Sequence, residues 1–340
     1  MNNKLSFGID LGTYNLKLFC KYDESTFLEK NVIAIQNKDT LLAYGDSAYE
    51  MYEKAPSSIE ISFPLSCGVI ADIYNMRNVI ENFIKLVSKG NYKGADYYMS
   101  VPTDITEVEK RAFYDLIKES NLKPKNIYLM DRSLVNGVGL ELDIKKIQGV
   151  FVIDVGYDTT EISTLSLGGI VHSKMVKVGG ERFDKTIISV VKKETNLYIG
   201  KRTAENLRIR LSDKEHDSNT ETIYGRDVIS GLPMEKEISA SIIRDALQQD
   251  FKEIVGEVAT RLESTGAELS AEIYKRGVYL TGGASLTVGL AEIISDKTGL
   301  EVNTVDEPIN TIVNGLSIIV NDPNYKSILR VREKAKGFKH

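Results

Sequence analysis

LSFGIDLGTYNLKLF (residues 5–19) and GVFVIDVGYDTTEIS (residues 149–163) share one grammar: an apolar run, an aspartate, one apolar residue, a glycine, a short polar turn and a second run. Each reads as a β-hairpin, with Asp10 and Gly12 at the tip of the first and Asp154 and Gly156 at the tip of the second. Glycine lets backbone N–H groups approach an anion, and a carboxylate can hold the waters of a metal ion, so such a tip suits a phosphate site. One copy alone reads as an ordinary turn between strands. Repetition in both halves of the chain is what favours phosphate chemistry. A third stretch, RGVYLTGGASLTVGLAEII (276–294), runs from a β-branched and aromatic segment through Gly282 and Gly283 into a helical pattern. A strand leading through paired glycines to a helix N-terminus places backbone donors against a nucleotide.

The 340 residues predict two or more packed units, and 42% hydrophobic with 27% charged residues is ordinary for a globular chain, with ample core. A formal charge of −5 argues against a dedicated nucleic-acid binder. Two cysteines, Cys20 and Cys67, make no disulfide framework and no C-x-x-C metal spacing, which points to a reducing compartment. His172, His216 and His340 are too scattered for a metal cluster. The N-terminus enters a strand-like run with no room for a signal peptide's apolar core, and no 18-residue apolar run follows.

The rest alternates α and β. A strand at Tyr97–Val101 leads to a helix whose Thr106 and Glu109 form a capping box, followed by a strand at Lys125–Met130. From Phe183, Ile187, Ile188, Val190 and Val191 share a helical face, and 240–265 reads as one long amphipathic helix or two joined ones. Residues 211–225 begin polar and predict a loop or hairpin on a rim.

Taken together, DLGTYN (10–15), DVGYDTTE (154–161), PLSCGVIAD (64–72), VPTDITEVEKRA (101–112), SLGGIVHSKMVKVGGERFDKTI (166–187), NLYIGKRTAENLRI (196–209) and LTGGASLTVGL (280–290) resemble a bacterial actin of the MreB type. The resemblance runs from about residue 7 to residue 320, within the actin, sugar-kinase and heat-shock-protein ATPase superfamily. It implies an α/β, actin-like ATPase fold: two related α/β domains flanking a nucleotide cleft, each with an inner and an outer subdomain. The expected boundaries are 1–146 for domain I (outer subdomain about 31–74), 147–320 for domain II (outer subdomain about 192–262), and 321–340 for a C-terminal segment returning to domain I with a basic tail.

The resemblance also implies ATP or ADP with Mg2+ and head-to-tail self-assembly into protofilaments, single or paired. By position, Asp10 and Asp154 would hold the metal through water; Gly12, Thr13 and Asn15 would cradle phosphates; Gly156, Tyr157, Asp158 and Thr159 would form the opposing loop. Glu205 would reach the ribose, and Gly282 and Gly283 would border the nucleoside. These roles fit phosphoryl transfer, which depends on positioning, metal neutralisation and an aligned water.

Two departures bear on turnover. MreB proteins carry Glu-Glu-Pro after the strand equivalent to Ile127–Met130, and the second Glu positions the attacking water; here the residues are Asp131, Arg132 and Ser133. A guanidinium cannot accept that proton at neutral pH, though it can pair with a terminal phosphate. Asp131 is the alternative water-orienting group, but its side chain should point away from its neighbour's. In the second loop, Tyr157 and Asp158 stand where the family has glycines, and Asp158 is the residue expected to tolerate left-handed backbone. ATP hydrolysis is therefore expected to be slow or lost.

Membrane contact is expected from the family more than from these residues. The loop at Ser88–Ala95 offers only Tyr92 between Lys89 and Lys93, while the segment from Tyr325 combines basic residues with Ile328, Leu329, Val331 and Phe338. The expected place is the cytoplasm or the inner face of the cell membrane. Two function classes follow. The preferred one is a cytoskeletal filament protein concerned with cell shape and wall-synthesis guidance, with other bacterial actins or wall-synthesis proteins as partners. The other is a non-filament actin-like ATPase or regulatory subunit that switches by domain closure.

Overall fold

The computed structural model describes residues 5–37, 40–146, 149–212, 220–328 and 330–331. It divides into two units: Met1–Gln148 with Leu165–Ser173 and Asn310–His340, and Gly149–Thr164 with Lys174–Ile309. The division follows contacts, so the Leu165–Ser173 stretch and the helix Thr311–Asn321 group with the first unit.

In the first unit a six-stranded sheet runs in the order Arg330–Val331, Asn126–Asp131, Asp96–Val101, Ser6–Leu11, Asn15–Cys20, Ser25–Lys30. Ser6–Leu11 is antiparallel to Asn15–Cys20 and parallel to Asp96–Val101. All six residues of Ser6–Leu11 are buried, as expected of a central strand covered on both faces. On one side Phe7, Ile9 and Leu11 share a core with Met76, Ile80 and Phe83 of helix Ile73–Val87 and with Phe113 and Ile117 of helix Glu107–Lys118. Each helix starts as its sequence requires. Asp72 accepts from the backbone N–H groups of Tyr74 and Asn75, and Thr106 and Glu109 form the anticipated capping box.

Helix Thr311–Asn321 covers the opposite face, where a Cβ on Gly8 would stand 3.0 Å from Leu316 Cβ. The same helix meets helix Arg132–Gly139 at two glycines: a Cβ on Gly139 would strike the Thr311 carbonyl, and one on Gly315 the Val135 carbonyl. That close crossing fixes the helix that opens with Arg132. A smaller antiparallel sheet, Thr40–Tyr44, Ile33–Gln36, Ile59–Ser62, carries its own core of Val32, Ala34 and Ala48.

The second unit repeats the plan. A five-stranded sheet runs Gly169–Val176, Thr160–Ser166, Val150–Val155, Val278–Thr281, Val302–Thr304, of which residues 165–166 and 169–173 are the part grouped with the first unit, and the last three strands are parallel. Phe183, Ile187 and Val191 of helix Gly180–Thr195 are fully buried, with Ile188 and Val190 packed partly against the same core. Phe183 meets Phe251 edge to face at 5.3 Å. Residues 240–263 form one continuous helix, Ala240–Glu263, which resolves the choice between one helix and two. The rim segment is a hairpin from Thr220 onward, in which Thr220–Asp227 pairs with Pro233–Ser239; residues 213–219 lie outside the described residues.

Candidate functional site

Both hairpin tips close in the same way. Gly12 N–H donates to the Asn15 carbonyl at 3.1 Å, and Gly156 N–H donates to the Thr159 carbonyl at 2.8 Å. A Cβ on Gly12 would lie 2.6 Å from the Asn15 oxygen, and one on Gly156 3.1 Å from the Thr159 oxygen, so glycine serves here by lacking bulk. Neither glycine has positive φ, and neither do Tyr157 and Asp158. The turn that Asp158's tolerance was expected to preserve is closed, and it closes without left-handed backbone at Tyr157 or Asp158.

In the first unit Asp10 is 1% exposed and lies directly across the hairpin from Lys17, whose Nζ donates to Asp10 Oδ2 at 2.7 Å. The other carboxylate oxygen, Oδ1, has no hydrogen-bond partner and stands 4.0 Å from Arg132 Nη2. Arg132 is 8% exposed; its Nη2 donates to the Leu11 carbonyl at 3.1 Å, while Nε has no partner. The guanidinium is thereby held beside the first turn. Asp131 faces elsewhere, toward Lys110 Nζ at 3.5 Å, as neighbouring side chains at a strand end should. Thr103 and Ser133 hydroxyls are hydrogen-bonded at 2.7 Å, and Thr103 Oγ1 accepts from Ser133 N–H, tying the loop after Val101 to the helix that starts at Arg132. Asn31 Nδ2 donates to the Gly12 carbonyl at 2.9 Å, bracing the turn from the adjacent segment.

In the second unit Asp154 is buried at the end of its strand, and Gly282, with φ +89, packs so closely that a Cβ there would strike Asp154 Oδ1 and the Val155 carbonyl. The residues after the paired glycines form turns, and the helix begins only at Leu290. This corrects the expectation that Gly282 and Gly283 open a helix. Several N–H groups of the turn are spent internally: Gly282 donates to Pro308, Ala284 to Val155 and Ser285 to Gly282. Gly180 N–H donates to the Gly156 carbonyl at 3.1 Å, so the start of helix Gly180–Thr195 is fastened to the second hairpin tip.

Glu205 lies half-buried on helix Lys201–Ser212. One turn further, Arg208 forms a buried pair with Asp184 at 2.7 Å and reaches Thr287 Oγ1 at 3.4 Å. Arg208 thus links the Glu205 helix, helix Gly180–Thr195 and the turn after Gly283. Burial pushes the Asp184 carboxyl up to about 6, against the pull of Arg208 and with Glu205 and Glu181 adding to the rise. Sequence reasoning missed Lys17 and Arg208. Lys17 was accessible from the hairpin register, since closing the turn at Gly12 and Asn15 sets Asp10 opposite Lys17. Arg208 was signalled only by its i, i+3 spacing from Glu205 on a helix. Among the described residues no three or more His, Cys, Asp or Glu side chains gather as a metal cage.

Comparison with solved structures gives the fold class. A crystal structure of Spiroplasma citri MreB5 bound to AMPPNP matches with TM-score 0.88 at 30% identity, covering 94% of this chain and 96% of that one. The MamK double helical filament matches with TM-score 0.78 at 20% identity. The chain has the MreB and actin-like α/β fold. Residues 4–327 match the MreB/Mbl protein family model. Bacillus subtilis cell shape-determining protein Mbl is 34% identical over 319 residues, 93% of this chain and 95% of that protein, and Escherichia coli cell shape-determining protein MreB is 30% identical over 323 residues, 92% of each. The chain belongs to the MreB/Mbl family.

Proposed function

We propose that the protein is a nucleotide-binding cytoskeletal protein that assembles into filaments and takes part in determining cell shape. The observation that carries this is the hairpin tip built twice, each with a buried aspartate before a glycine turn closed by one backbone hydrogen bond. It is supported by relatives described as cell shape-determining proteins, by MreB5 structures bound to AMPPNP and ADP, and by the MamK filament. In this reading the two units are the domains of an actin-like ATPase and each hairpin tip is a phosphate-binding element. Gly12, Thr13 and Asn15 would cradle phosphate at the first tip, and Gly156, Tyr157, Asp158 and Thr159 would do so at the second. Glu205 would meet the ribose and Gly282 and Gly283 the nucleoside.

Asp154, held between its strand and the Gly282 turn, is the carboxylate suited to hold magnesium through water. A metal there would serve to align phosphate oxygens, the positive charge beside the first tip being supplied by Lys17 and Arg132. Arg132 offers donors only, and Asp131 is engaged with Lys110, so neither is set to take a proton from an attacking water. In this reading hydrolysis is slow or lost. Membrane contact is left to the family resemblance: among the described residues no helix is long and apolar enough to cross a membrane, and the basic tail lies outside them. Nucleotide titration with negative-stain imaging tests the reading. Filaments that require nucleotide support it; a protein that binds nucleotide and never assembles would favour a switching ATPase, and one that binds none would overturn it.

A further inference from the structure

We infer that the first hairpin carries its own cationic counter-charge, and that nucleotide binding at this site therefore depends little on a divalent metal. The inference rests on the nucleotide reading above. The residues at the first tip fit poorly with a metal held through Asp10. Its Oδ2 already accepts from the Lys17 ammonium at 2.7 Å, and its Oδ1 lies 4.0 Å from the Arg132 guanidinium. Asp10, Lys17 and Arg132 are 1%, 7% and 8% exposed, so solvent screens their charges weakly. A divalent ion brought to Oδ1 would meet the guanidinium within the same pocket of low dielectric, a repulsion that phosphate oxygens would not suffer.

The charges sum to one net positive: Lys17 and Arg132 against Asp10. Arg132 is anchored by one bond to the Leu11 carbonyl, and its buried Nε is without a partner. A buried guanidinium nitrogen left unpaired is costly unless a ligand satisfies it. The guanidinium lies beside the first turn through its Nη2 bond to Leu11, and an arginine fork suits phosphate oxygens. Arg132→Glu removes two units of positive charge from this spot, which equals the charge one magnesium ion brings. The variant should therefore recover the metal dependence that the arginine relieves.

The test is fluorescence titration of the full chain with a fluorescent ATP analogue, competed by unlabelled ATP and ADP, in excess magnesium and in excess EDTA. The parent Kd is expected to change by less than about threefold between the two buffers, whereas Arg132→Glu should bind about tenfold or more weakly in EDTA than in magnesium, the scale of one charge-assisted hydrogen bond. Arg132→Gln, which keeps size and some donors, should fall between them. Circular dichroism melting of each variant checks that it folds, and the parent comparison stands without any variant. A parent that loses tenfold or more in EDTA overturns the inference while leaving nucleotide binding intact. No binding of the analogue, ATP or ADP in either buffer overturns the nucleotide reading itself.

Discussion

Arg132 is the residue on which the proposal of slow or lost turnover rests. Its guanidinium is fixed beside the first turn by Leu11 and the glycine crossing of its helix, and in the proposed function it stands in the place of a proton acceptor. Replacing Arg132 with glutamate should raise the phosphate-release rate by about a hundredfold or more, the range in which a positioned base acts; an unchanged rate in the folded variant would show that Arg132 is not what limits hydrolysis. Asp184 gives a second prediction. Its carboxyl is raised to about 6 in the folded chain, above its ordinary 3.8, so the protonated form favours the fold. Stability from this group is full below about pH 4 and is lost as pH rises through 6. Relative to Asp184→Asn, the parent should therefore gain on the order of 1 kcal/mol between pH 7 and pH 5, measured by urea unfolding at each pH. At this scale the sequence was most legible where chemistry and turn coincide, as at Asp10 and Asp154. It was least legible where a partner comes from a distant segment: nothing near residue 208 indicates that Asp184 and Thr287 await it.

Elements were read more completely than residues, because hydrophobic period and capping residues are local signals. The helix at Glu107–Lys118 was marked by Thr106 and Glu109 and starts there. The turn after Gly283 was read as a helix start because a strand, two glycines and a helical pattern follow one another; the turns up to Gly289 are stabilised by tertiary hydrogen bonds to Val155 and Pro308 that no local pattern records. Two glycines predict opposite outcomes for the same substitution. Gly12→Ala drives a methyl toward the Asn15 carbonyl and should open the first tip, lowering nucleotide affinity by about tenfold or more, the loss expected when phosphate-binding donors are displaced. Gly256→Ala, in an exposed position of helix Ala240–Glu263 with nothing within 4 Å of the new Cβ, should stabilise the chain by about 0.5–1 kcal/mol. Thermal melting and nucleotide titration of the two variants check both; destabilisation by Gly256→Ala would point to a contact on that helix face.

For the molecule as a whole, the repeated plan of the two units follows from the repeated hairpin grammar. In each the first hairpin strand pairs in parallel with a strand brought from further along the chain, Asp96–Val101 in one and Val278–Thr281 in the other. What sequence alone left out is that helix Thr311–Asn321 groups with the first unit, where it packs onto the strand Ser6–Leu11. In the proposed function the property at this scale is assembly, and contacts repeated along a filament do not close on themselves. The most direct measurement is sedimentation of the purified chain without nucleotide, with ADP, with ATP and with AMPPNP, while phosphate release is followed in the same samples. The account predicts a nucleotide-dependent pellet of equal size in ATP and AMPPNP, with phosphate released slowly compared with assembly. A pellet independent of nucleotide, or none under any condition, would contradict it.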